Sequence, residues 1–306
     1  MTAKKKILIT GGTGTVARAY IKKYPHNDYY SISRGEKSVS KARRDLPNVK
    51  FYIASITDSY AVERIFSTVK PDIVIHTAAM KHVDIAEDNP TECMTINIIG
   101  TMNIVRSSIN NDVPITVGIS TDKACSPTNV YGMSKHLMEK IFLEHNTNKN
   151  RFSVCRFGNV AHSNGSVFPY WIEQAANNKK LLLTDEKMNR LMFPPAAAAT
   201  LINKTINMTE ESGGGFVCSY KMKSMNMYEA AKIISENIEI VGLRPGEKLN
   251  EKLISKKELN YSYLEGEYII LKQHENKDSN RLLEEYSSAT AEMMTKEEMQ
   301  EIIFGN

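Results

Sequence analysis

A phenol and an amine stand four positions apart at Tyr131 and Lys135. In a helix this spacing puts both side chains on the same face, one turn apart. A neighbouring ammonium favours the ionised form of a tyrosine, whose ordinary pKa is about 10, so the pair can act as a general base. The run Thr121-Asp122-Lys123 comes shortly before it and adds a hydroxyl, a carboxylate and a second amine. The combination predicts proton-transfer chemistry, whereas the Tyr-x-x-x-Lys spacing alone also occurs on solvated helices.

A glycine-rich turn follows the first strand-like run of the chain. Its sequence is Thr10-Gly11-Gly12-Thr13-Gly14-Thr15-Val16, and a helix-like segment comes next. Glycines in such a turn let a pyrophosphate approach the backbone, and the N-terminus of the helix faces the negative charge. The sequence therefore predicts a dinucleotide site at Gly11, Thr13, Gly14, Thr15 and Val16. The alternative is a strand-to-helix turn without a ligand.

The second strand-like run ends in Ser33-Arg34, where an NAD-selective protein usually has a carboxylate. A guanidinium suits a 2′-phosphate, so the sequence predicts NADP, with Ser33 and Arg34 in contact with it. The alternative is an exposed loop arginine. The predicted base would then lie within reach of the nicotinamide, since both follow strands of one sheet.

Short β-branched or aromatic runs alternate with helix-length segments through the first half of the chain. The strand-like runs are residues 6–10, 29–33, 49–53, 72–76, 114–119 and 152–157. Segments 62–69 and 92–109, and one starting near Gly132, are predicted helices. Runs 6–10 and 72–76 are almost wholly apolar, as in strands buried on both faces. The pattern predicts an α/β fold, a Rossmann-like doubly wound parallel sheet.

The rhythm changes after residue 160, where turn residues become frequent. They are Asn164-Gly165, Pro169, Pro194-Pro195 and Gly213-Gly214-Gly215. We predict an NADP-binding core at 1–160, to which 196–240 returns. A smaller C-terminal substrate-binding domain would use 161–195 and 241–306. The polar stretch 274–280 is predicted as a surface loop, and Thr295 with Glu298 as the capping box of a terminal helix.

Composition excludes several classes of protein. The 306 residues carry 39 Lys and Arg against 35 Asp and Glu, a net charge of +4 without a large basic block, so nucleic acid is not an expected partner. No apolar run approaches the roughly 18 residues of a membrane span, and the N-terminus lacks the apolar segment of a signal peptide. Cys93, Cys125, Cys155 and Cys218 are widely spaced. We therefore expect no metal site, no disulfides and a cytoplasmic location.

Four blocks together resemble one family. They are Ala78 to Val83 with Glu87 and Asn89-Pro90, Ser120 to Pro127 with Tyr131 to Lys135, Arg156 to Val160, and Gly242 to Leu249. The chain resembles an extended short-chain dehydrogenase/reductase of the polysaccharide-biosynthesis type from residue 5 to about residue 290. Within that group it is most similar to the short UDP-N-acetylglucosamine 4,6-dehydratases (C5-inverting), which open pseudaminic acid and related pathways.

The resemblance implies further site residues. Cofactor contacts are expected from Ser55, Ile56, Ala78, Ala79, Lys81 and Asn97, in addition to Tyr131 and Lys135. Substrate contacts are expected from Lys81, His82, Asn159, Ser166, Arg190, Arg244 and Glu247. Arg244 can clamp a diphosphate or, alternatively, flank a surface turn. The chain departs from the family pattern where Ser55 replaces a common Asp, Asn164 replaces an Arg, and Phe193-Pro194-Pro195 replaces a different stretch.

The resemblance also implies a mechanism. Tyr131 accepts the C4 hydroxyl proton while hydride passes to NADP, and Thr121 binds the same oxygen. Lys123 removes the C5 proton, Asp122 protonates the C6 oxygen, and hydride returns to C6. The product is a 4-keto-6-deoxy UDP-sugar for surface glycan or nonulosonic acid biosynthesis. A homo-oligomer, dimer or hexamer, is expected.

Two alternatives stay open at this point. A nucleotide-sugar 4-epimerase or reductase needs the tyrosine–lysine pair but not Asp122 and Lys123. A non-catalytic NADP-binding regulator could share the fold, because a fold does not determine a function.

Overall fold

The computed structural model describes residues 4–274 and 280–305. Its strands are β1 Lys6–Thr10, β2 Asp28–Ser33, β3 Val49–Ile53, β4 Ile73–His76, β5 Ile115–Thr121, β6 Arg151–Phe157, β7 Asn159–Val160, β8 Leu181–Leu183, β9 Asn189–Phe193, β10 Phe216–Tyr220, β11 Ser224–Asn226, β12 Ile238–Ile240, β13 Lys252–Ile254, β14 Ser262–Glu265, β15 Tyr268–Lys272 and β16 Tyr286–Ser287. Its helices are α1 Thr15–Lys23, α2 Glu36–Asp45, α3 Ser59–Val69, α4 Val83–Asp88, α5 Pro90–Met94, α6 Gly100–Asn110, α7 Val130–Glu144, α8 Val167–Ala176, α9 Pro195–Ser212, α10 Met227–Ile234 and α11 Lys296–Phe304.

The main sheet has nine strands in the order β14-β15-β10-β6-β5-β4-β1-β2-β3. The parallel part of the sheet consists of β10, β6, β5, β4, β1, β2 and β3. Strands β15 and β14 are antiparallel additions at the β10 edge. All six predicted strands lie in this sheet, so the predicted Rossmann-like parallel fold is confirmed. Strand order reverses between β1 and β4, and a ligand crevice forms outside the carboxyl ends at such a switch point.

Helices cover both faces of the sheet. In β1, Ile7 and Ile9 pack in one apolar cluster with α1 and α9, and Leu8 packs on the other face with α3 and α6. Alternate side chains of an extended strand point to opposite faces, so an apolar strand is buried twice over. The prediction that run 6–10 is covered on both faces is confirmed.

A second apolar cluster lies beyond the sheet. Phe168 and Trp171 of α8 pack there with β8, β9, α10 and Ile303 of α11. Residues 216–220 and 262–272 hydrogen-bond within the main sheet, whereas α10 packs in this second cluster. The domain boundaries given above stay a prediction.

Several local expectations need correction or completion. The predicted helix 92–109 is interrupted by a π-helical turn at Thr95–Ile99, between α5 and α6. Pro169 is not a break but lies in the first turn of α8, where a proline nitrogen needs no helical partner. The capping box of Thr295 and Glu298 is present in α11. Most of the predicted loop 274–280 falls on residues 275–279, outside the described residues.

The sequence also predicts that the chain has no membrane span, no metal site and no disulfides. Residues 4–274 and 280–305 contain no helix long and apolar enough to cross a membrane. Within them, no group of three His, Cys, Asp or Glu side chains could hold a metal ion. The four cysteines are buried and free.

Candidate active site

A cleft of about 780 Å³ opens at the carboxyl ends of the parallel strands. The glycine-rich turn, the segment after β4, the end of β5 and the start of α7 form one wall. Segments 157–167, 182–192 and 244–251 contribute the opposite side. A smaller lobe of about 230 Å³ shares Gly11, Thr13, Arg34, Ala78 and Ala79 with it. Together the two volumes form one continuous site for an extended ligand.

The glycine-rich turn has the geometry of a phosphate cradle. Gly11 has a φ of +74°, and a Cβ there would lie 2.9 Å from Thr77 Oγ1 and 3.0 Å from the Ala78 nitrogen. Gly14 is the N-cap of α1, without a side chain to occupy the helix N-terminus. The predicted residues Gly11, Thr13, Gly14, Thr15 and Val16 all line the cleft. A dinucleotide pyrophosphate therefore fits at this turn.

The smaller lobe contains the predicted Ser33, Arg34, Ile56, Ala78 and Ala79. None of the described residues that line it carries a carboxylate. Ser38, in the first turn of α2, also lines it and was missed by the sequence analysis, although its position four residues after Arg34 was a usable signal. Ser55 does not line the cleft, and its hydroxyl is within hydrogen-bond distance of the Thr57 hydroxyl, at 2.7 Å.

Asn97 also lies behind the cleft wall rather than in it. Its amide accepts a hydrogen bond from the Met80 nitrogen at 2.8 Å and donates to Ser134 Oγ at 2.9 Å. The π-helical turn carries Asn97, so this widened turn connects the segment after β4 to α7. Single π turns are frequent at functional sites. Asn97 thus positions lining residues and is not itself a lining residue.

Thr121 ends β5, and Asp122 and Lys123 form the 3-10 turn that follows. The Thr121 hydroxyl donates to Asp122 Oδ1 at 2.9 Å, and Lys123 Nζ donates to the same oxygen at 3.1 Å. Thr121 and Lys123 line the cleft, whereas Asp122 has no exposed surface and does not. A Cβ at Gly132 would collide with the Lys123 carbonyl oxygen, so only glycine lets α7 approach this turn.

Tyr131 and Lys135 both line the cleft from the first turns of α7. Burial raises the pKa of the Tyr131 phenol, the Asp122 carboxylate adds to the rise, and the hydrogen bond with Thr121 opposes it. Burial lowers the pKa of Lys135 to about 8, against the opposing effect of Glu139. The Lys135 amine donates to Met138 Sδ at 3.0 Å. In this arrangement burial is the largest influence on the pKa of Tyr131, and the Lys135 amine is hydrogen-bonded to Met138.

All seven predicted substrate residues line the cleft, namely Lys81, His82, Asn159, Ser166, Arg190, Arg244 and Glu247. The Arg244 loop is joined to the catalytic helix, because Asn129, the N-cap of α7, donates to the Gly246 carbonyl at 3.0 Å. Across the cleft, Lys81 Nζ donates to the Asn164 carbonyl at 2.6 Å. Three of the seven residues, Lys81, Arg190 and Arg244, bring positive charge to the cleft lining.

Four buried side-chain oxygens without a hydrogen-bond partner lie in or beside the cleft: Ser120 Oγ, Asp122 Oδ2, Ser166 Oγ and Glu251 Oε2. Buried polar atoms in folded proteins are normally hydrogen-bonded, so a group of exceptions needs an explanation. Their concentration at one cleft indicates a site that completes its hydrogen bonds with a polar ligand.

The profile of the polysaccharide biosynthesis protein family matches residues 7–273. The chain belongs to this family. Among its relatives, UDP-N-acetylglucosamine 4,6-dehydratase (inverting) of Campylobacter jejuni serotype O:2 is 36% identical over 277 residues, covering 86% of this chain and 81% of the relative. UDP-glucose 4-epimerase of Rickettsia bellii is 31% identical over 334 residues, covering 99% and 96%. The resemblance drawn from the four sequence blocks is confirmed.

Solved structures give the same fold for this family member. Pen from Bacillus thuringiensis superposes with a TM-score of 0.92 at 28% identity, covering 100% of this chain and 98% of that one. DesIV, a dTDP-glucose 4,6-dehydratase from Streptomyces venezuelae solved with NAD and TYD bound, gives 0.69 at 18% identity, covering 80% and 86%.

Glu251 is a cleft residue of this family member that the sequence analysis did not identify. It precedes β13, is 1% exposed, and its Oε1 lies 3.9 Å from Lys123 Nζ. The available signal was its place two residues after the block Gly242 to Leu249. His76, by contrast, is a core residue at the end of β4. It is buried within hydrogen-bond distance of Thr10 Oγ1 at 2.8 Å and Thr101 Oγ1 at 3.1 Å.

Proposed function

We propose that this protein is a nucleotide-sugar 4,6-dehydratase that acts on UDP-N-acetylglucosamine, inverts C5 and uses NADP. One observation carries the proposal. Lys123, bonded to Asp122, lines the same cleft as the Tyr131 and Lys135 pair. Oxidation at C4 needs only the pair, whereas elimination of water across C5 and C6 needs a further base and a further acid.

The cofactor proposal rests on the two lobes of the cleft. Gly11 holds the turn in a left-handed conformation packed against Thr77 and Ala78, and the N-terminus of α1 at Gly14 lines the cleft where a pyrophosphate would bind. Arg34 lines a lobe whose described lining has no carboxylate to repel a 2′-phosphate. When bound, NADP supplies a hydride acceptor for C4 and a hydride donor for C6. The enzyme would then return it to its starting state in each cycle.

The cofactor can be tested by Arg34→Glu. Loss of a charged hydrogen bond is worth roughly 1.5–3 kcal/mol, so we expect NADP affinity to fall about ten- to hundredfold while NAD affinity changes little. Isothermal titration with both dinucleotides measures this. Lys37→Glu, an exposed change in the same region, is the control. Equal losses for both cofactors would show that Arg34 does not bind the 2′-phosphate.

In the first proton transfer, Tyr131 accepts the proton of the C4 hydroxyl while Thr121 hydrogen-bonds that oxygen. The phenol of Tyr131 has a raised pKa in its buried position. A positive charge beside it is therefore needed for the phenolate to form, and Lys135 is the amine of this helix face.

In the second stage, Lys123 removes the C5 proton and Asp122 protonates the C6 oxygen. Asp122 has no exposed surface, so it acts on the sugar once the Lys123 amine leaves Oδ1 and turns toward C5. A single movement of the Lys123 side chain thus takes its amine away from Asp122 and brings it toward C5. Arg244 and Lys81 stand where they can bind the diphosphate during both stages.

The function is tested by incubating the purified protein with UDP-N-acetylglucosamine, followed by mass spectrometry and proton NMR of the product. We expect a product lighter by one water, with inverted C5, without stoichiometric added NADP. A product of unchanged mass would favour the 4-epimerase alternative, for which the Rickettsia relatives give a specific reason. Absence of turnover with any UDP-sugar would favour the regulator.

We also propose a homo-oligomer, a dimer or hexamer, in the cytoplasm. Exposed apolar side chains of three helical segments that pack together support the first: Met94, Ile99, Met133 and Leu137. Four free cysteines support a reducing compartment. Light scattering after gel filtration tests the oligomer, and cell fractionation tests the location.

A further inference from the structure

Glu251 is a buried carboxylic group that the mechanism above does not use. Its backbone nitrogen donates to Ser288 Oγ at 3.0 Å, and its carbonyl accepts from the Ser288 nitrogen at 2.9 Å. The residue is thereby fixed just before β13, with its side chain in the cleft. Lys123 Nζ lies near two carboxyl groups, at 3.1 Å from Asp122 Oδ1 and 3.9 Å from Glu251 Oε1.

Neither carboxylate beside Lys123 has all of its oxygens satisfied. Asp122 Oδ2 and Glu251 Oε2 are buried and accept no hydrogen bond. Lys248 Nζ lies 3.9 Å from Glu251 Oε2, but it donates instead to the Ser126 carbonyl at 2.8 Å. An ionised Glu251 would be a buried carboxylate whose Oε2 accepts no hydrogen bond and whose two ammonium neighbours, Lys123 and Lys248, lie 3.9 Å away, which is unfavourable.

We propose that Glu251 is a positioning residue that stays protonated in the working cleft, where it holds the Lys123 amine and leaves one mobile proton to Asp122 and Lys123. The inference rests on the proposed dehydratase function. It adds a third member to the group that eliminates water. The role of this member differs from that of the other two, because Glu251 acts through Lys123 and not on the sugar.

The proton balance of the elimination explains why a neutral Glu251 is needed. Asp122 and Lys123 share one proton, which moves from Nζ to Oδ1 and gives a neutral amine and a carboxylic acid. The amine then takes the C5 proton, the C5 electron pair forms the C5–C6 double bond, and the C6–O bond breaks. The acid proton joins the departing oxygen, so water leaves and the ammonium and carboxylate are restored.

An ionised Glu251 would oppose the first of these steps, because a second negative charge beside Nζ keeps the proton on the amine. Burial raises the pKa of the Glu251 carboxyl, and the charge of Asp122 adds to the rise. Lys123, Arg190 and Lys248 face the same carboxyl and lower its pKa. Burial is the largest of these influences, and their net effect is a raised pKa.

The activity test compares Glu251→Gln and Glu251→Leu with wild type. Glutamine has the shape of the protonated acid, so the ratio of its kcat to that of wild type should be near one at low pH. It should rise at least about threefold toward the alkaline end of the profile, as wild-type Glu251 ionises. Leucine is neutral but cannot hold the amine, so kcat should fall about tenfold at every pH while KM stays within about threefold.

Glu285→Gln is the matched control. It removes a carboxylate that pairs with Lys252, the neighbour of Glu251, outside the cleft. Its kcat–pH profile should follow wild type. A ratio of Glu251→Gln to wild-type kcat that stays flat or falls with pH would overturn the proposal. Equal losses of kcat in the glutamine and leucine variants would overturn it as well.

A second measurement does not depend on turnover. In protein labelled with ¹³C at the glutamate carboxyl, the resonance absent from Glu251→Gln is that of Glu251. We expect its titration midpoint above the ordinary glutamate range. A midpoint at or below that range overturns the proposal even if the enzyme is a dehydratase. Conversely, absence of water loss from UDP-N-acetylglucosamine in wild type rejects the proposed function, while the midpoint still decides the state of Glu251.

Discussion

Two buried charge clusters of similar arrangement lie in this protein, and we expect them to have opposite roles. In each, two carboxylates flank a central cation: Arg156 with Glu139 and Glu258 in the arginine cluster, and Lys123 with Asp122 and Glu251 in the lysine cluster, where Lys248 also lies 3.9 Å from Glu251. Both join a segment of the parallel core to a segment after residue 250. Their difference lies in how many hydrogen bonds are completed.

The arginine cluster is fully connected. Arg156 donates to both carboxylate oxygens of Glu139 at 2.9 and 2.7 Å, to Glu258 at 2.9 Å and to the Leu253 carbonyl at 2.8 Å. The second oxygen of Glu258 accepts from the Ser255 nitrogen and hydroxyl. Such a network is geometrically fixed, since the planar guanidinium matches its acceptors in one orientation.

The lysine cluster, by contrast, leaves one oxygen of each carboxylate without a hydrogen bond. Its cation is a flexible amine with rotatable donors, which can leave one acceptor for another. We therefore assign a structural role to the arginine cluster, whose hydrogen bonds are complete. The lysine cluster, whose hydrogen bonds are incomplete, lies where we propose that a proton and a substrate are accommodated. Four variants break or sharpen this comparison.

The largest effect is expected from Lys123→Ala. It removes the proposed C5 base, so water elimination and solvent deuterium incorporation at C5 should fall about 10²- to 10⁴-fold. Dinucleotide binding should persist, because Lys123 does not line the smaller lobe that contains Arg34. Mass spectrometry in deuterium oxide measures the first effect and fluorescence titration the second. Elimination at a near wild-type rate would remove Lys123 from the mechanism.

Arg156→Met should affect folding instead of chemistry. It leaves Glu139 and Glu258 buried without their cation, a change that costs about 3–5 kcal/mol. Urea unfolding at pH 7 should show this loss, and protein that stays folded in the cold should keep its NADP affinity. Arg156→Lys should recover only part of the stability, because an ammonium cannot make the same four bonds. A stable Arg156→Met protein without activity would reverse the assigned roles of the two clusters.

Much of this architecture could be predicted because its causes are local. Three features were predicted: the strand periodicity, the turn at Gly11, and the spacing of Tyr131 and Lys135. Each of them involves residues that are only a few positions apart in the sequence. The lining of the cleft by Arg190 and Arg244 could be expected only through the family resemblance, since tertiary folding brings these distant segments together.

What the sequence did not predict depends on long-range contacts. Glu251 is 128 positions from Lys123, and no pattern along the chain relates the two. The π turn that contains Asn97 was likewise not predicted, because helical periodicity does not mark it. In this turn Asn97 accepts a hydrogen bond from Met80, a contact outside the helix. Strand β15 joins the sheet edge by pairing with β10, and β14 pairs with β15, an arrangement that depends on long-range packing.

A smaller effect is expected from Glu258→Gln, and it depends on pH. The Arg156 guanidinium and the hydrogen bonds of Ser255 and Cys125 hold the pKa of Glu258 at about 2, against burial. A lowered carboxyl pKa adds stability above the unfolded value of about 4.3, and this is lost as pH falls toward 2. The contribution at pH 7 is on the order of 3 kcal/mol. The variant should be less stable than wild type at pH 7, with the gap closing below pH 4 in urea unfolding.

The smallest effect is expected from Glu251→Gln, with the opposite dependence on pH. Burial raises the pKa of Glu251, so the folded state holds a proton that the unfolded state releases above about pH 4.3. Wild type therefore loses stability relative to the variant as pH rises from that value through the folded pKa. At pH 9 the glutamine variant should be more stable by about 1 kcal/mol, the order of the penalty for a buried unsatisfied group. Urea midpoints of wild type, Glu251→Gln and the control Glu285→Gln, a half-buried residue outside the cleft, at pH 5, 7 and 9 measure the trend. A variant whose disadvantage grows with pH, as for Glu258, would make Glu251 a second structural carboxylate and dissolve the distinction between the clusters.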